Sequence, residues 1–337
     1  MNELEATAKA MVAPGKGILA IDESHSTCKK RFDGIGVEST PENRRAYREL
    51  LMTTPGGGEF VSGVILFDET IRQSTAAGVA FPDVLKQQGI IPGIKVDAGA
   101  MKLAGSPNEK VTEGLDGLRD RLAEYKTLGA RFAKWRAVIT IGNGIPTRAC
   151  IDANAHALAR YAALCQEASM VPIVEPEVLM DGDHDLARCF EVTETTLNSV
   201  FDALRNQRVI LEYVILKASM VISGSECSKQ AGVQEVAEAT VKCLKRTVPA
   251  AVPGIVFLSG GQKDEIATSH LNEMNQMSPH SWPLSFSFGR ALQAPALKAW
   301  RGSSASVARA QQALYLRERC NSAACFGRYT SEMEKKA

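Results

Sequence analysis

Two apolar stretches of this sequence carry charged side chains at a spacing of two: Lys134 and Arg136 flank Trp135, and Glu175 and Glu177 flank Pro176. In an extended strand, residues two apart share a face, so each pair points one way while Trp135 points the other. Asp22 closes the apolar run 17–21, Lys95 interrupts the run 93–97, and Lys217 closes the run 211–216. Taken singly, each lysine reads as an edge residue with its head group in water. Together they demand partners, because an isolated buried ion is strongly disfavoured. Opposite charges ending neighbouring strands supply those partners. Two lysines, two glutamates and an aspartate suit carbonyl chemistry. A lysine attacks a carbonyl only as the neutral amine, and desolvation or a nearby ammonium, here Lys134 beside Lys217, makes that form accessible. Glutamates can then shuttle protons during imine formation, and an aspartate can take a proton from the substrate. Pro176 cannot donate to a sheet ladder, which puts Glu175 and Glu177 where their strand is ending.

A second group of residues suits an anion. Ser259-Gly260-Gly261 closes the seventh apolar run, and Ser287-Phe288-Gly289-Arg290 closes the eighth. Hydroxyls, glycine amides and a guanidinium at these positions match the usual phosphate site of a barrel, after strands seven and eight. Metal chemistry finds no support. Asp181 to Asp185 imitates the start of a calcium loop, but Leu186 stands where glycine is needed and Val192 where glutamate is needed. That stretch reads as a solvated loop ahead of a helix. The five histidines (25, 156, 184, 270 and 280) show no ligand spacing, and neither a metal nor another cofactor is expected.

The elements that must position these residues follow from periodicity. Eight short apolar runs recur: 17–21, 61–67, 93–97, 132–138, 171–174, 211–216, 254–258 and 284–288. Their starts lie 30 to 44 residues apart, room for one strand, one helix and two loops. Thr40-Pro41 marks a helix start before 42–52. Leu115, Leu118, Leu122, Tyr125 and Leu128 form a helical stripe, and 149–168 and 233–244 repeat the pattern. Gly56-Gly57-Gly58 reads as the loop before the second strand. Eight strands alternating with helices predict a closed parallel (β/α)8 TIM barrel, a single domain over 1–337 with an N-terminal helical arm and a polar, frayed tail at about 328–337. An open doubly wound sheet would normally show a glycine-rich turn after its first strand, and Asp22-Glu23-Ser24 stands there instead.

Composition narrows the setting. With 39 basic and 38 acidic residues the formal net charge is +1, so no general affinity for nucleic acid is expected. No apolar window reaches membrane-spanning length, and the start of the chain lacks a signal-peptide pattern, which implies a cytoplasmic protein without membrane insertion. Eight scattered cysteines without a CxxC pair read as reduced thiols.

With Ala20-Ile21-Asp22-Glu23-Ser24, Phe132-Ala133-Lys134-Trp135-Arg136, Val174-Glu175-Pro176-Glu177, Leu258-Ser259-Gly260-Gly261-Gln262 and Gly289-Arg290-Ala291-Leu292-Gln293, the chain closely resembles the class I fructose-1,6-bisphosphate aldolases, the metal-independent Schiff-base branch, most of all a bacterial member. The match runs from Ala13-Pro14-Gly15 to Gly327-Arg328-Tyr329-Thr330. The resemblance implies that Lys217 forms the Schiff base with carbon 2 of the substrate. It further implies that Glu175 and Lys134 handle protons, that Asp22 serves as base at the carbon 4 hydroxyl, and that Glu177 supports the lysines. Ser259, Gly260, Gly289 and Arg290 would hold the carbon 1 phosphate, with Ser24, Thr27, Lys95 and Arg136 facing the rest of the substrate and Ser287 a further substrate-binding residue.

The same resemblance implies a homotetramer acting on a phosphorylated sugar in glycolysis and gluconeogenesis. Three positions depart from the pattern of many members: Thr27 stands in place of serine, Ala218 in place of proline, and no tyrosine follows Tyr329. The last departure leaves open whether another group protonates the enamine. Two rival readings are a phosphosugar isomerase, with lysine as electrophile and glutamate as base, and an interaction scaffold using the basic cluster Lys29-Lys30-Arg31.

Overall fold

The computed structural model describes residues 2–335. The barrel strands are β1 (Gly17–Ala20), β2 (Val61–Leu66), β3 (Ile91–Lys95), β6 (Phe132–Ile139), β7 (Val171–Val178), β8 (Ile215–Ala218), β9 (Gly254–Phe257) and β10 (Leu284–Phe288). Between β3 and β6 the chain makes an antiparallel hairpin of β4 (Gly99–Lys102) and β5 (Lys110–Glu113). The eight barrel strands are parallel and close in the order β1-β10-β9-β8-β7-β6-β3-β2. Each predicted apolar run contributes one of them, because a strand covered on both faces must be apolar throughout.

Two strands differ from their predicted limits by more than two residues. The run 211–216 begins with a 3-10 turn, Leu211–Tyr213, and the strand starts only at Ile215, so Lys217 lies within β8 and does not close it. Pro176 ends only half of a ladder. The β7–β8 pairing stops at Val174, while β7–β6 pairing continues to Val178. The Ser219 hydroxyl then takes over on the β8 side, accepting from the Val178 N–H at 3.0 Å.

The helices begin where caps were expected. Thr40 Oγ1 accepts from the Asn43 N–H at 3.1 Å ahead of the helix Pro41–Met52. Asp185 caps Leu186–Asn206, accepting from the Arg188 N–H at 2.8 Å, so the acidic run 181–185 ends in a helix cap. Within the predicted stripe, the helix Leu118–Thr127 buries Leu118, Leu122 and Tyr125. Gly57–Glu59 forms a 3-10 turn before β2. All eight cysteines are free thiols.

Apolar packing is divided into a shell between strands and helices and a smaller cluster inside the barrel. The inner cluster joins Leu4, Ala8, Met11 and Val12 to Ile18, Ile65, Phe132, Val171, Ile173, Ile215 and Val256. The N-terminal helix Glu3–Met11 thus stoppers the amino end of the barrel, with the Met11 carbonyl accepting from Ser62 Oγ at 2.6 Å. The polar tail is docked through residue 335: Ser331–Lys335 forms a 3-10 turn, and Glu334 pairs with the buried Arg317. Residues 336 and 337 of the expected frayed tail lie outside the described residues.

Candidate active site

Trp135 sets the direction of its neighbours. Its indole is fully buried in the outer shell, 5.6 Å from the Tyr161 ring, and burial of a side chain this large contributes about 3 kcal/mol. The pleat of β6 then obliges Lys134 and Arg136 to face the barrel interior. On β7, Glu175 lies opposite Arg136 in the register, and Glu177 opposite Val138. All fourteen residues singled out in the sequence as catalytic or substrate-binding line one cavity of about 640 Å³ at the carboxyl ends of the strands. They are Asp22, Ser24, Thr27, Lys95, Lys134, Arg136, Glu175, Glu177, Lys217, Ser259, Gly260, Ser287, Gly289 and Arg290.

The floor is a chain of ion pairs. Glu175 receives Lys217 Nζ at 3.0 Å on one oxygen and Lys134 Nζ at 3.3 Å on the other. Lys134 also reaches Asp22 at 2.7 Å. Burial disfavours the charge on Asp22, but the Lys134 and Lys217 ammonium groups outweigh it and hold the carboxyl well below the usual carboxylate range. The converse holds for Lys134. Burial opposes its charge, whereas Asp22, Glu175 and Asp97 keep it well above the ordinary lysine range.

Glu177 departs from expectation: it pairs with Arg136 and not with the lysines. It stands two residues beyond Glu175, about 7 Å further along the strand, which carries it past the lysines toward the rim.

The rim is built differently. Ser24 caps the helix His25–Asp33, accepting from the Thr27 N–H, and its Oγ lies 3.2 Å from Thr27 Oγ1. Across the mouth, Gly260 and Gly261 adopt φ of +55° and +99°. Glycine is favoured at the second because φ of +99° strains any side chain, and an added Cβ would also displace Met180, whose Sδ it would meet at 2.6 Å. Gly289 immediately precedes the helix Arg290–Trp300, whose N-terminus has no side-chain cap and suits an anion. Ser287 Oγ is buried without a hydrogen-bond partner and borders the cavity.

Sequence reasoning passed over several residues. Asp97 receives Lys95 Nζ at 2.7 Å and the Arg136 N–H at 3.2 Å. It ends the third apolar run as Asp22 ends the first, so the same signal was present. Glu23 binds Arg31, Arg48 at 2.7 Å and Gln293 at 2.7 Å. Arg31 thereby faces the cavity, and Lys29 pairs with Asp33 at 2.8 Å, so the cluster Lys29-Lys30-Arg31 does not form a uniform basic patch. The last tyrosine, Tyr329, donates to Glu334 at 2.9 Å, away from the cavity.

A closed parallel barrel whose lysines share buried carboxylates beneath a rim of hydroxyls, glycine backbone and a guanidinium suits an enzyme of lysine-based carbonyl chemistry on an anionic substrate. Residues 3–337 match the family described as "Glycolytic: Fructose-bisphosphate aldolase class-I". A probable fructose-bisphosphate aldolase class 1 from Xanthomonas campestris pv. campestris is 65% identical over 330 residues, covering 98% of this chain and 99% of that protein. Fructose-bisphosphate aldolase 1 of Toxoplasma gondii is 55% identical, covering 97% and 91%. A solved fructose-bisphosphate aldolase from Plasmodium falciparum, in complex with TRAP and a small-molecule inhibitor, superposes with a TM-score of 0.97 at 50% identity over 98% of this chain and 95% of its own. The chain belongs to the class I fructose-bisphosphate aldolase family and is a lyase.

Proposed function

We propose that the protein cleaves fructose 1,6-bisphosphate reversibly through a Schiff base on Lys217. The observation that carries this reading is Glu175, whose two oxygens bridge Lys217 and Lys134. A carboxylate so placed can accept a proton from the attacking amine and return it to the carbinolamine hydroxyl, which leaves as water to give the imine. The protonated imine draws electrons from the bond between carbons 3 and 4 as Asp22 takes the carbon 4 hydroxyl proton. For Asp22 to accept that proton, its link to Lys134 must loosen, so Lys134 supplies the positive charge that stabilises the alkoxide before the bond breaks. Glyceraldehyde 3-phosphate departs, and the enamine is protonated and hydrolysed to dihydroxyacetone phosphate.

In this reading Ser259, Gly260, Ser287, Gly289 and Arg290 hold the carbon 1 phosphate through amides, hydroxyls and a guanidinium. Ser24, Thr27, Lys95 and Arg136 face the distal half of the substrate, with Glu177 and Asp97 orienting the two cations. We further assign the whole chain to one catalytic domain, active as a homotetramer in the cytoplasm. Sedimentation equilibrium tests the assembly, with a monomer overturning it. Among the described residues no helix is long and apolar enough to cross a membrane.

Borohydride added with substrate tests the central step. It should reduce the imine, attach substrate to Lys217 and abolish turnover. Recovery of unlabelled, active enzyme would indicate an isomerase-like use of lysine without a covalent intermediate. Chelators should leave the rate unchanged.

A further inference from the structure

Gln262 follows the Ser259-Gly260-Gly261 turn, and each of its polar groups is engaged. Its N–H donates to the Ser259 carbonyl at 2.9 Å, closing the turn. Its carbonyl accepts from Arg290 Nη2 at 2.9 Å. The side-chain amide Nε2 contacts Met220 Sδ at 3.6 Å, three residues beyond Lys217. Its Oε1 meets His270 Nδ1 at 2.6 Å. Gln262 is therefore the junction between two pieces of the phosphate rim, the glycine turn and the Arg290 guanidinium. Its one hold on the surrounding scaffold through a strong hydrogen bond is His270.

His270 lies on the helix Asp264–Gln276 and is only 5% exposed. Gln262 Oε1 can only accept, so Nδ1 carries the hydrogen. Burial pulls the imidazole pKa to about 4, which keeps the ring a neutral donor across the working range. Gln262 is buried as well, so removal of the donor would strand an acceptor and release the side chain. Two consecutive residues at positive φ precede it, and such backbone has little rigidity of its own.

We propose that His270 is a positioning residue for phosphate recognition, acting through Gln262 to fix the Ser259–Gly261 turn and Arg290. The proposal rests on the reading that this rim holds the carbon 1 phosphate. His270 touches no substrate; it determines how well formed the anion site is before substrate arrives.

Steady-state kinetics of His270→Leu and His270→Asn test it. Leucine should raise KM for fructose 1,6-bisphosphate about tenfold with a much smaller change in kcat, the pattern of lost uniform binding. Asparagine keeps an N–H near the Nδ1 position and should bring KM back to within about twofold of the parent. Thermal unfolding of each variant shows that folded protein is compared. An unchanged KM in folded His270→Leu, or equal increases in both variants, overturns the proposal. Arg290→Ala distinguishes the underlying reading: if it leaves KM unchanged, the phosphate assignment fails whatever His270 does. In the Arg290→Ala background the leucine effect should shrink well below tenfold, and full additivity also counts against the relay.

Discussion

The two arcs of the barrel mouth solve different problems with different materials. Along β6, β7 and β8 the cavity is lined by charged side chains rooted in strands: Lys134, Arg136, Glu175, Glu177 and Lys217. Along β9, β10 and β1 it is lined mainly by hydroxyls, glycine backbone and helix starts: Ser24, Ser259, Gly260, Ser287 and Gly289, with Arg290 beyond and Asp22, after β1, reaching across to Lys134. β6 and β7, eight residues each, stay paired with one another from Phe132 and Val171 to Ile139 and Val178, and proton transfer needs the positional accuracy that such a ladder gives. A phosphate needs several convergent donors, which loop amides supply without bringing buried charges together. On the reading proposed above, bond-making falls to the first arc together with Asp22, and holding to the second.

This division can be broken in graded steps. Lys217→Ala should lower kcat on the order of 10⁵-fold while substrate still binds, measured by turnover and by equilibrium dialysis; residual imine trapping elsewhere would move the nucleophile off β8. Glu175→Gln keeps the shape and removes the proton relay, and should reduce kcat about 10²- to 10⁴-fold with a slower rate of borohydride-trapped adduct formation. On the other arc, Arg290→Ala should act mainly on KM, raising it about 10- to 100-fold. If it lowered kcat as severely as Glu175→Gln, the separation of arcs would not hold.

Acidity provides the mildest test. Asp22, held below its usual range, loses its stabilising contribution only as pH falls through its depressed folded value. Lys134, held above its usual range, loses its contribution only as pH rises past the ordinary lysine value. The floor pair thus stays charged between about pH 4 and pH 10. His270 behaves otherwise. Its folded value of about 4 lies below the unfolded 6.5, so the unfolded chain binds the extra proton and stability falls as pH drops from 6.5 toward 4. The loss from this group is about 2 kcal/mol at pH 5, and His270→Asn should remove it from a urea-unfolding series between pH 7 and 5.

What the sequence disclosed follows the same physical divide. Buried strands announce themselves as apolar runs, so the barrel and the charged residues interrupting it were legible. Leu211 and Tyr213 imitate a strand because apolarity alone does not separate an extended run from a turn packed on the barrel foot. The β4–β5 hairpin left no such trace. Its strands are short and largely exposed, with Met101, Lys102 and Lys110 open to solvent. The Glu23–Arg48 pair and the His270–Gln262 contact were also invisible, since each joins one helix to a loop by a partner choice that only the folded chain defines.

The stopper formed by the helix Glu3–Met11 has a bearing on the order of events. With Met11 and Val12 packed into the amino end, the cavity among the described residues lies at the carboxyl ends of the strands. On the Schiff-base reading proposed above, water for the closing hydrolysis and the outgoing aldehyde would use that same mouth, one after the other. On that reading a covalent hold on the remaining three-carbon fragment would keep it inside while its partner leaves, so the closed foot of the barrel favours sequential release.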